Sequence, residues 1–315
     1  MMSEKPKRSE ILFYYDIKDG NPNGDPLDEN KPRIDTETNR NMVSDVRIKR
    51  TIRDYFIEYE GYDDNDDKSV LIREIKDDKG KLQDMKQRAS SFGKNKGEIK
   101  ENILKKCIDV RLFGETVALK KDDKSGESIT LTGPVQFNML NHSKHKVSVK
   151  PVGHSFTMAS GEGKTQGSLA TEYIVPYSFI EVYGIINEKA AEHTHLTVQD
   201  IHEMCKAMWE GTRNIISRTK FGQVPRLLIK VNYKDDGFYI GDIGKHVRLD
   251  TEKYEEEIRS VGDFKLDVSS LVNTIKDNKD KIESIDMRRD PDLRLNDAEM
   301  ESGKIEGITV YELKW

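Results

Sequence analysis

The sequence has few cysteines and no long apolar run, and both shortages narrow the class of protein. Its 315 residues include only two cysteines, Cys107 and Cys205, which excludes a disulfide-stapled scaffold. The longest apolar stretch, residues 173–186, is interrupted by a proline and a glutamate, so it predicts neither a membrane span nor a membrane partner. Residues 1–10 are polar and lack the apolar segment of a signal peptide. We therefore expect a soluble, cytoplasmic protein.

Charge is nearly balanced over the whole chain but not along it. The net charge of −5 indicates no particular partner. Residues 212–234, however, contain six Lys and Arg and no Asp or Glu, residues 86–106 contain seven basic and two acidic residues, and residues 142–164 contain four Lys and one Glu. Residues 251–302 are acidic, with nine basic and fifteen acidic residues. Separate basic segments on an acidic chain favour local binding of a polyanion over an evenly solvated surface.

Hydrophobic periodicity predicts an α+β fold. Alternating apolar positions indicate strands, and a period of 3.6 residues indicates helices. Ser44 and Thr197 are typical N-caps for the two longest predicted helices. In chain order we predict a strand at 11–17, a helix at 45–59, a short helix at 99–108, strands at 129–139 and 173–186, a helix from 198, a strand at 227–233, charged helices near 251–259 and 268–282, and a strand at 308–313. Residues 61–97 are rich in Asp, Asn, Lys and Gly with weak periodicity, so we expect a mobile insertion there, and residues 141–170 read as a second insertion. Without the two insertions the first part reads β-α-β-β-α-β, the ferredoxin-like order, with its helices on one face of the sheet.

The motifs for metals and nucleotides are incomplete. The segment Asp19-Gly-Asn-Pro-Asn-Gly24 resembles half of a calcium loop, but Asn30 stands where the bidentate Glu belongs. Gly161-Glu-Gly-Lys-Thr165 resembles the end of a phosphate loop, but Met158 replaces its first glycine. The nearest approach to a metal-ligand set is His193, His195, His202 and Cys205. We interpret these as surface histidines beside an apolar cysteine and expect no cofactor and no metal.

Two interpretations remain open for the histidines of the second insertion. His142, His145 and His154 lie in a basic segment, where a histidine could act as the general base of an endoribonuclease. Histidines in a polar loop are more often solvated or in contact with phosphates, which favours a binding protein that is not an enzyme. The same segment offers Lys144, Lys146 and Lys150 for phosphates and Phe156 and Met158 as apolar wedges between bases.

The first predicted helix carries a row of cations. Arg47, Lys49, Arg50 and Arg53 occupy its first three turns. Like charges at i, i+4 repel each other, and a phosphate bound against them would remove that cost. The free amides beside Ser44 would supply further donors for the same anion. An ordinary solvated helix face, balanced by Asp45 and Asp54, accounts for the pattern equally well.

Several ordered motifs resemble one protein family. They are Asn21-Pro-Asn-Gly-Asp-Pro26, Lys31-Pro-Arg-Ile-Asp35, Val43-Ser-Asp-Val-Arg-Ile-Lys-Arg50, Asp109-Val-Arg-Leu-Phe-Gly114, Thr132-Gly-Pro-Val-Gln-Phe137 and Ser217-Arg-Thr-Lys-Phe-Gly222. They resemble the backbone-subunit family of type I CRISPR Cascade complexes, most closely the type I-B branch, and the resemblance spans about residues 10–240.

The resemblance implies a function and a set of partners. Such subunits polymerise along one CRISPR guide RNA and present it to a target DNA strand without doing chemistry themselves. The basic segments 86–106 and 212–234 and the acidic segment 251–302 are unlike surfaces, which predicts that copies of the chain join head to tail. The other implied partners are further Cascade subunits: the handle-binding, large and small subunits. No strand carries the base-stacking signature of an ordinary RNA-recognition motif. Binding through the RNA backbone suits a guide whose specificity lies in base pairing.

The resemblance also implies an RRM-like palm carrying two insertions, the fingers and the thumb. We expect the palm at 10–60, 108–140 and 171–245, the fingers at 61–107, the thumb loop at 141–170, and an acidic C-terminal extension with a terminal strand at 246–315. The guide contacts implied by the family are Ser44, Lys49, Arg50 and Arg53. To these we add Arg47 from the same helix, Asn21 and Asn23 from the turn-rich loop, and Arg218 and Lys220 from the segment free of acidic residues.

Overall fold

The computed structural model describes residues 5–64, 67–77, 79–119, 128–155 and 169–315. The helices are α1 (Asp45–Tyr59), α2 (Met85–Ser90), α3 (Lys96–Lys106), α4 (Ile108–Phe113), α5 (Glu188–Thr194), α6 (Val198–Arg213), α7 (Ser269–Asp277) and α8 (Ala298–Ser302). The strands up to the second long helix are β1 (Ser9–Gly20), β2 (Gly24–Asp25), β3 (Lys31–Pro32), β4 (Ile34–Asp35), β5 (Arg40–Ser44), β6 (Gly114–Ala118), β7 (Ser128–Thr132), β8 (Val135–Phe137), β9 (Leu140–Lys146), β10 (Lys150–Ser155) and β11 (Leu169–Ile186). Those after it are β12 (Val224–Tyr233), β13 (Arg248–Asp250), β14 (Lys265–Asp267), β15 (Ile282–Arg289) and β16 (Thr309–Glu312). The prediction of an α+β fold is confirmed.

A large mixed sheet organises the described part of the chain. Its order is β16-β15-β12-β1-β11-β9-β5-β4, with β8 and β10 also paired to β11. The central strand β1 is antiparallel to both neighbours, β11 and β12. The outer strand β16 runs parallel to β15.

The sheet is covered on both faces, whereas the sequence predicted helices on one face only. Ile11, Phe13 and Tyr15 of β1 belong to one apolar core together with the inner faces of α1 and α6. Leu12 and Tyr14 belong to a second core, built largely from residues 227–305. The strand is therefore buried on both sides rather than half-buried, because the C-terminal part of the chain folds back over the face that would otherwise meet water.

The two main helices begin where the sequence predicts. Ser44 caps α1 because its side chain accepts a hydrogen bond from the Arg47 amide. Thr197 caps α6 in a capping box: its side chain accepts from the Asp200 amide, and the Asp200 side chain accepts from the Thr197 amide. Gly211 of α6 faces α1: a Cβ on this glycine would lie 3.0 Å from the Tyr55 Cβ and 3.1 Å from the Thr51 carbonyl oxygen. The missing side chain allows the two helices to pack closely at that point.

The first insertion has a core of its own. Its apolar side chains come from the segment around Leu71, from α2 and α3, and from the separate hairpin of β6 and β7. The weak periodicity of residues 61–97 led us to expect a mobile segment. The structure instead buries Leu71, Phe92 and Ile103 against one another, an association between distant residues that local periodicity does not report.

Three other predicted elements differ in the structure. The strand expected at 129–139 is two strands, β7 and β8, which break at Gly133 and Pro134 and join different sheets. The first part of the expected loop at 141–170 forms β9 and β10. The helix expected at 251–259 is only a short 3-10 turn, Glu255–Glu257.

Candidate nucleic-acid interface

Three distant motifs meet at the start of α1. The Asn23 side-chain oxygen accepts hydrogen bonds from the amide and the hydroxyl of Ser44, both at 2.9 Å. The Asn21 amide donates to the Thr219 carbonyl oxygen at 2.6 Å, and its side chain donates to the Asn30 carbonyl oxygen at 2.7 Å. Both asparagines are buried. The turn-rich loop therefore joins the N-cap of α1 to the basic turn at 217–221, and its asparagines act as a structural clamp.

Arg47 and Lys220 lie on the two sides of this junction. Both are half-buried, and neither forms an ion pair with any residue that the structure describes. Burial lowers the pKa of Arg47; Tyr15 and Asp54 raise it in part, and the charge of Arg50 lowers it again. Burial also lowers the pKa of Lys220, with the charge of Arg47 as a second cause. Two like charges held close together in a partly dry setting favour a bound anion between them.

The other cations of α1 have carboxylate partners. Lys49 Nζ lies 2.8 Å from Asp45 Oδ2, and Arg50 Nε lies 2.6 Å from Asp54 Oδ1. The Arg50–Asp54 pair is exposed, so a phosphate can compete for Arg50 at a small cost. The Lys49–Asp45 pair is largely buried, with side chains only 14% and 20% exposed, so Lys49 is less available. The expected like-charge row along the helix is thus partly neutralised by its own acidic residues.

Arg53 differs from these cations because it is buried. Its Nε lies 3.0 Å from Oδ2 of Asp109, whose side chain is fully buried. The guanidinium also lies 5.4 Å from the centre of the Phe113 ring. The structure therefore places Arg53 in the contact between α1 and the motif Asp109–Gly114, and its charge is already neutralised there.

The predicted contacts of the second insertion do not lie in one environment. Lys144 pairs with Glu181 at 3.0 Å and contacts the Gly244 carbonyl oxygen, so it joins β9 to β11 and to the C-terminal part. Lys146 and Lys150 are exposed and form no ion pair with the described residues. Phe156 and Met158 lie outside the described residues.

Arg218, in the basic turn at 217–221, is exposed, and its Nε lies 3.2 Å from Oε2 of Glu172.

The three candidate ribonuclease histidines differ in burial and in their hydrogen-bond partners. His145 is buried: its Nε2 accepts from the Phe179 amide at 3.2 Å, and its Nδ1 lies 2.8 Å from the Lys146 carbonyl oxygen. Burial lowers the pKa of His145. His154 lies 3.2 Å from Glu172, and His142 is exposed. Since both nitrogens of His145 are occupied, it has no free atom with which to take a proton from a substrate.

Within the described ranges, no group of three or more His, Cys, Asp or Glu is arranged to hold a metal ion. In the same residues, no helix has both the length and the apolar character needed to cross a bilayer.

Sequence reasoning missed two features of this region. Asp109 holds Arg53 from a position 56 residues away, and only its place in a family motif could have drawn attention to it. Tyr59 and Ile216 line a cleft beside Arg47 and Lys220. They are 53% and 81% exposed, and hydrophobic periodicity alone does not distinguish such positions from core residues.

The fold is shared with chains of known surveillance complexes. One chain of a "CRISPR RNA-guided surveillance complex, pre-nicking" aligns with a TM-score of 0.56 and 12% identity, covering 97% of this chain and 96% of its own length. A chain of a second "CRISPR RNA-guided surveillance complex" aligns with a TM-score of 0.51 and 13% identity, covering 90% and 88% respectively. At these identities the likeness shows a common α+β fold.

Sequence comparison identifies the family. The family model for CRISPR-associated protein Cas7 matches residues 7–269. The CRISPR-associated protein Cas7 of Haloferax volcanii is 30% identical over 315 aligned positions, which cover 92% of this chain and 88% of that relative. The chain therefore belongs to the Cas7 family of CRISPR-associated proteins. The resemblance found in the sequence motifs is confirmed at the level of the family.

Proposed function

We propose that this chain is a backbone subunit of a CRISPR RNA-guided surveillance complex and binds the guide RNA through its phosphates. The observation that carries the proposal is the junction at the start of α1, where Arg47 and Lys220 are half-buried and form no ion pair with the described residues. Family membership supports the same function. Phosphate contacts hold an RNA in register without reading its sequence, which a guide of arbitrary sequence requires.

The proposed contacts form two groups. The inner group is Arg47 and Lys220, supported at its edge by the exposed Arg50 and Arg218 and by Lys49. The outer group is Lys146 and Lys150 of the second insertion, which are exposed and free of ion pairs within the described residues. Ser44, Asn21 and Asn23 position the inner group. Arg53 and Lys144 act through structure, because each is already held by a carboxylate.

Architecture and assembly follow from the same proposal. The strand order β12-β1-β11-β9 at the centre of the sheet supports a palm with residues 61–107 as fingers and residues 141–170 as thumb. Copies would join head to tail along the guide, present it to a target DNA strand and meet the other Cascade subunits. The subunit itself would do no chemistry. The type I-B branch and a cytoplasmic location stay predictions.

A salt titration of RNA binding tests the proposal. The double substitution Arg47→Ala with Lys220→Ala should weaken binding equally for RNAs of unrelated sequence, because phosphates carry no sequence information. Each lost contact should also flatten the slope of log affinity against log salt by about 0.7. Lys265→Ala, which removes an exposed lysine of the acidic C-terminal part, is the matched control. A double variant with an unchanged slope would contradict the proposed site, and cleavage of the bound RNA by purified protein would contradict a purely structural role.

A further inference from the structure

A cleft of about 390 Å³ lies between α1 and the segment that follows α6. Thr51 and Tyr55 line it from α1, and Gly211 lines it from α6, at the point where the two helices pack most closely. Its volume falls within the range of about 300–1,000 Å³ that is usual for sites of small organic ligands. The cleft is therefore large enough for a single nucleobase.

One end of the cleft is cationic. Arg47 and Lys220, the inner group of proposed phosphate contacts, both line it. Asp54 and Glu58 lie along the same wall, but Arg50 already pairs with Asp54 at 2.6 Å. An anion is thus favoured at the Arg47 end, and polar groups remain available farther along.

The other end is aromatic and apolar. The Tyr59 ring is 53% exposed and stacks on the Tyr55 ring, with 5.1 Å between centroids and 21° between planes. Ile216, across the cleft, is 81% exposed. Tyr55 and Tyr59 follow Arg47 by about 12 and 18 Å along the helix axis, at about 1.5 Å per residue. The aromatic end therefore lies a few nucleotides along the strand from the cationic end.

We propose that this cleft binds a nucleobase of the guide RNA, stacked against Tyr59 and Ile216, a few nucleotides along the strand from the phosphate held between Arg47 and Lys220. The inference rests on the proposed function, since it names the part of the guide that this same site takes. Stacking tolerates every base because each has a flat face, so the cleft would accept a guide of any sequence. A protein segment fits less well, because only a segment with a carboxylate at the right place would neutralise the two cations, whereas every nucleotide of RNA carries a phosphate.

Fluorescent guides test the inference directly. The full-length protein is assembled on guide-length RNAs that carry 2-aminopurine at successive positions, and fluorescence and affinity are measured. Bases held in the cleft should be quenched in the wild-type assembly. Tyr59→Ala should restore their fluorescence and lower the affinity for RNA about tenfold. Tyr59→Phe, which keeps the aromatic ring, should retain both the quenching and the wild-type affinity. Ile216→Ser, at a more exposed position, repeats the test should Tyr59→Ala unfold the chain. Tyr311→Ala is the matched control, because it removes a tyrosine of β16 that is 57% exposed. It should change neither the quenching nor the affinity.

Guides lacking a base at the quenched positions separate the outcomes. On such abasic RNA the wild type should bind about tenfold more weakly, and Tyr59→Ala should add no further loss. Unchanged quenching in Tyr59→Ala would overturn the inference. The inference would also be overturned if Tyr59→Ala bound abasic RNA about tenfold more weakly than the wild type does. That result would indicate a protein segment in the cleft. If Arg47→Ala with Lys220→Ala binds RNA normally, the proposed function fails; if that variant is impaired but Tyr59→Ala is not, only the base site fails.

Discussion

The buried contact between Arg53 and Asp109 should be one of the most sensitive points of the fold. Asp109 is fully buried, and its two carboxylate oxygens accept hydrogen bonds from the Leu71 and Ile72 amides at 2.8 and 3.1 Å as well as from Arg53 at 3.0 Å. One carboxylate thus joins α1 to the chain segment that enters the first insertion. Asp109→Ala leaves the Arg53 guanidinium without its counter-charge in a site where water cannot replace it.

The size of the effect follows from this burial. Removing one partner of a buried ion pair typically costs about 3–5 kcal/mol, because the remaining charge stays desolvated. The exposed pair of Arg50 and Asp54 on the same helix gives the comparison. There, Asp54→Ala should cost about 0–1 kcal/mol, since both side chains are partly solvated and water replaces the lost partner.

Urea unfolding followed by circular dichroism and by tryptophan fluorescence measures both variants. We expect Asp109→Ala to lower the free energy of unfolding several times more than Asp54→Ala does. The double variant Arg53→Met with Asp109→Leu should recover part of the loss, because no charge is then left buried, although the Leu71 and Ile72 amides remain unpaired. If the free energy of unfolding of Asp109→Ala lies within about 1 kcal/mol of the wild-type value, Arg53 does not have the structural role assigned to it here.

Three further predictions concern other parts of the fold. Gly114 has φ +67°, and a Cβ there would lie 2.2 Å from the Leu131 carbonyl oxygen, so Gly114→Ala should cost about 3 kcal/mol or more and lower the melting temperature. The Trp315 ring lies 4.3 Å from the Arg288 guanidinium and its Nε1 donates to an oxygen of α6, so Trp315→Ala should shift the urea midpoint by the equivalent of about 2 kcal/mol while Tyr311→Ala does not. Burial lowers the pKa of His145, so as the pH falls through about 6.5 the unfolded chain protonates this imidazole before the folded chain does. The free energy of unfolding should therefore fall by up to about 1.4 kcal/mol per pH unit below that pH, and it should fall less steeply in His145→Gln.

Local features were predictable from the sequence because neighbouring residues determine them. Ser44 and Thr197 begin helices where their side chains reach amides three residues on, and α1 ends at Tyr59, where its apolar period ends. The alternation in β1 and β12 likewise comes from residues within each strand. The family motifs are also linear patterns, which is why the family could be identified from the chain alone.

Contacts between distant segments had to come from the tertiary structure. The sequence shows Arg47, Lys49 and Arg53 as equal members of one cationic row, yet the structure leaves Arg47 without an ion pair among the described residues, pairs Lys49 with Asp45 and buries Arg53 on Asp109. Similarly, Lys144 belongs to a basic segment but turns inward to Glu181. A helix cap or an amphipathic period depends on residues within a few positions of each other. Whether a cation is free to bind phosphate depends on which carboxylate the folded chain brings beside it, and for Arg53 that carboxylate is 56 residues away.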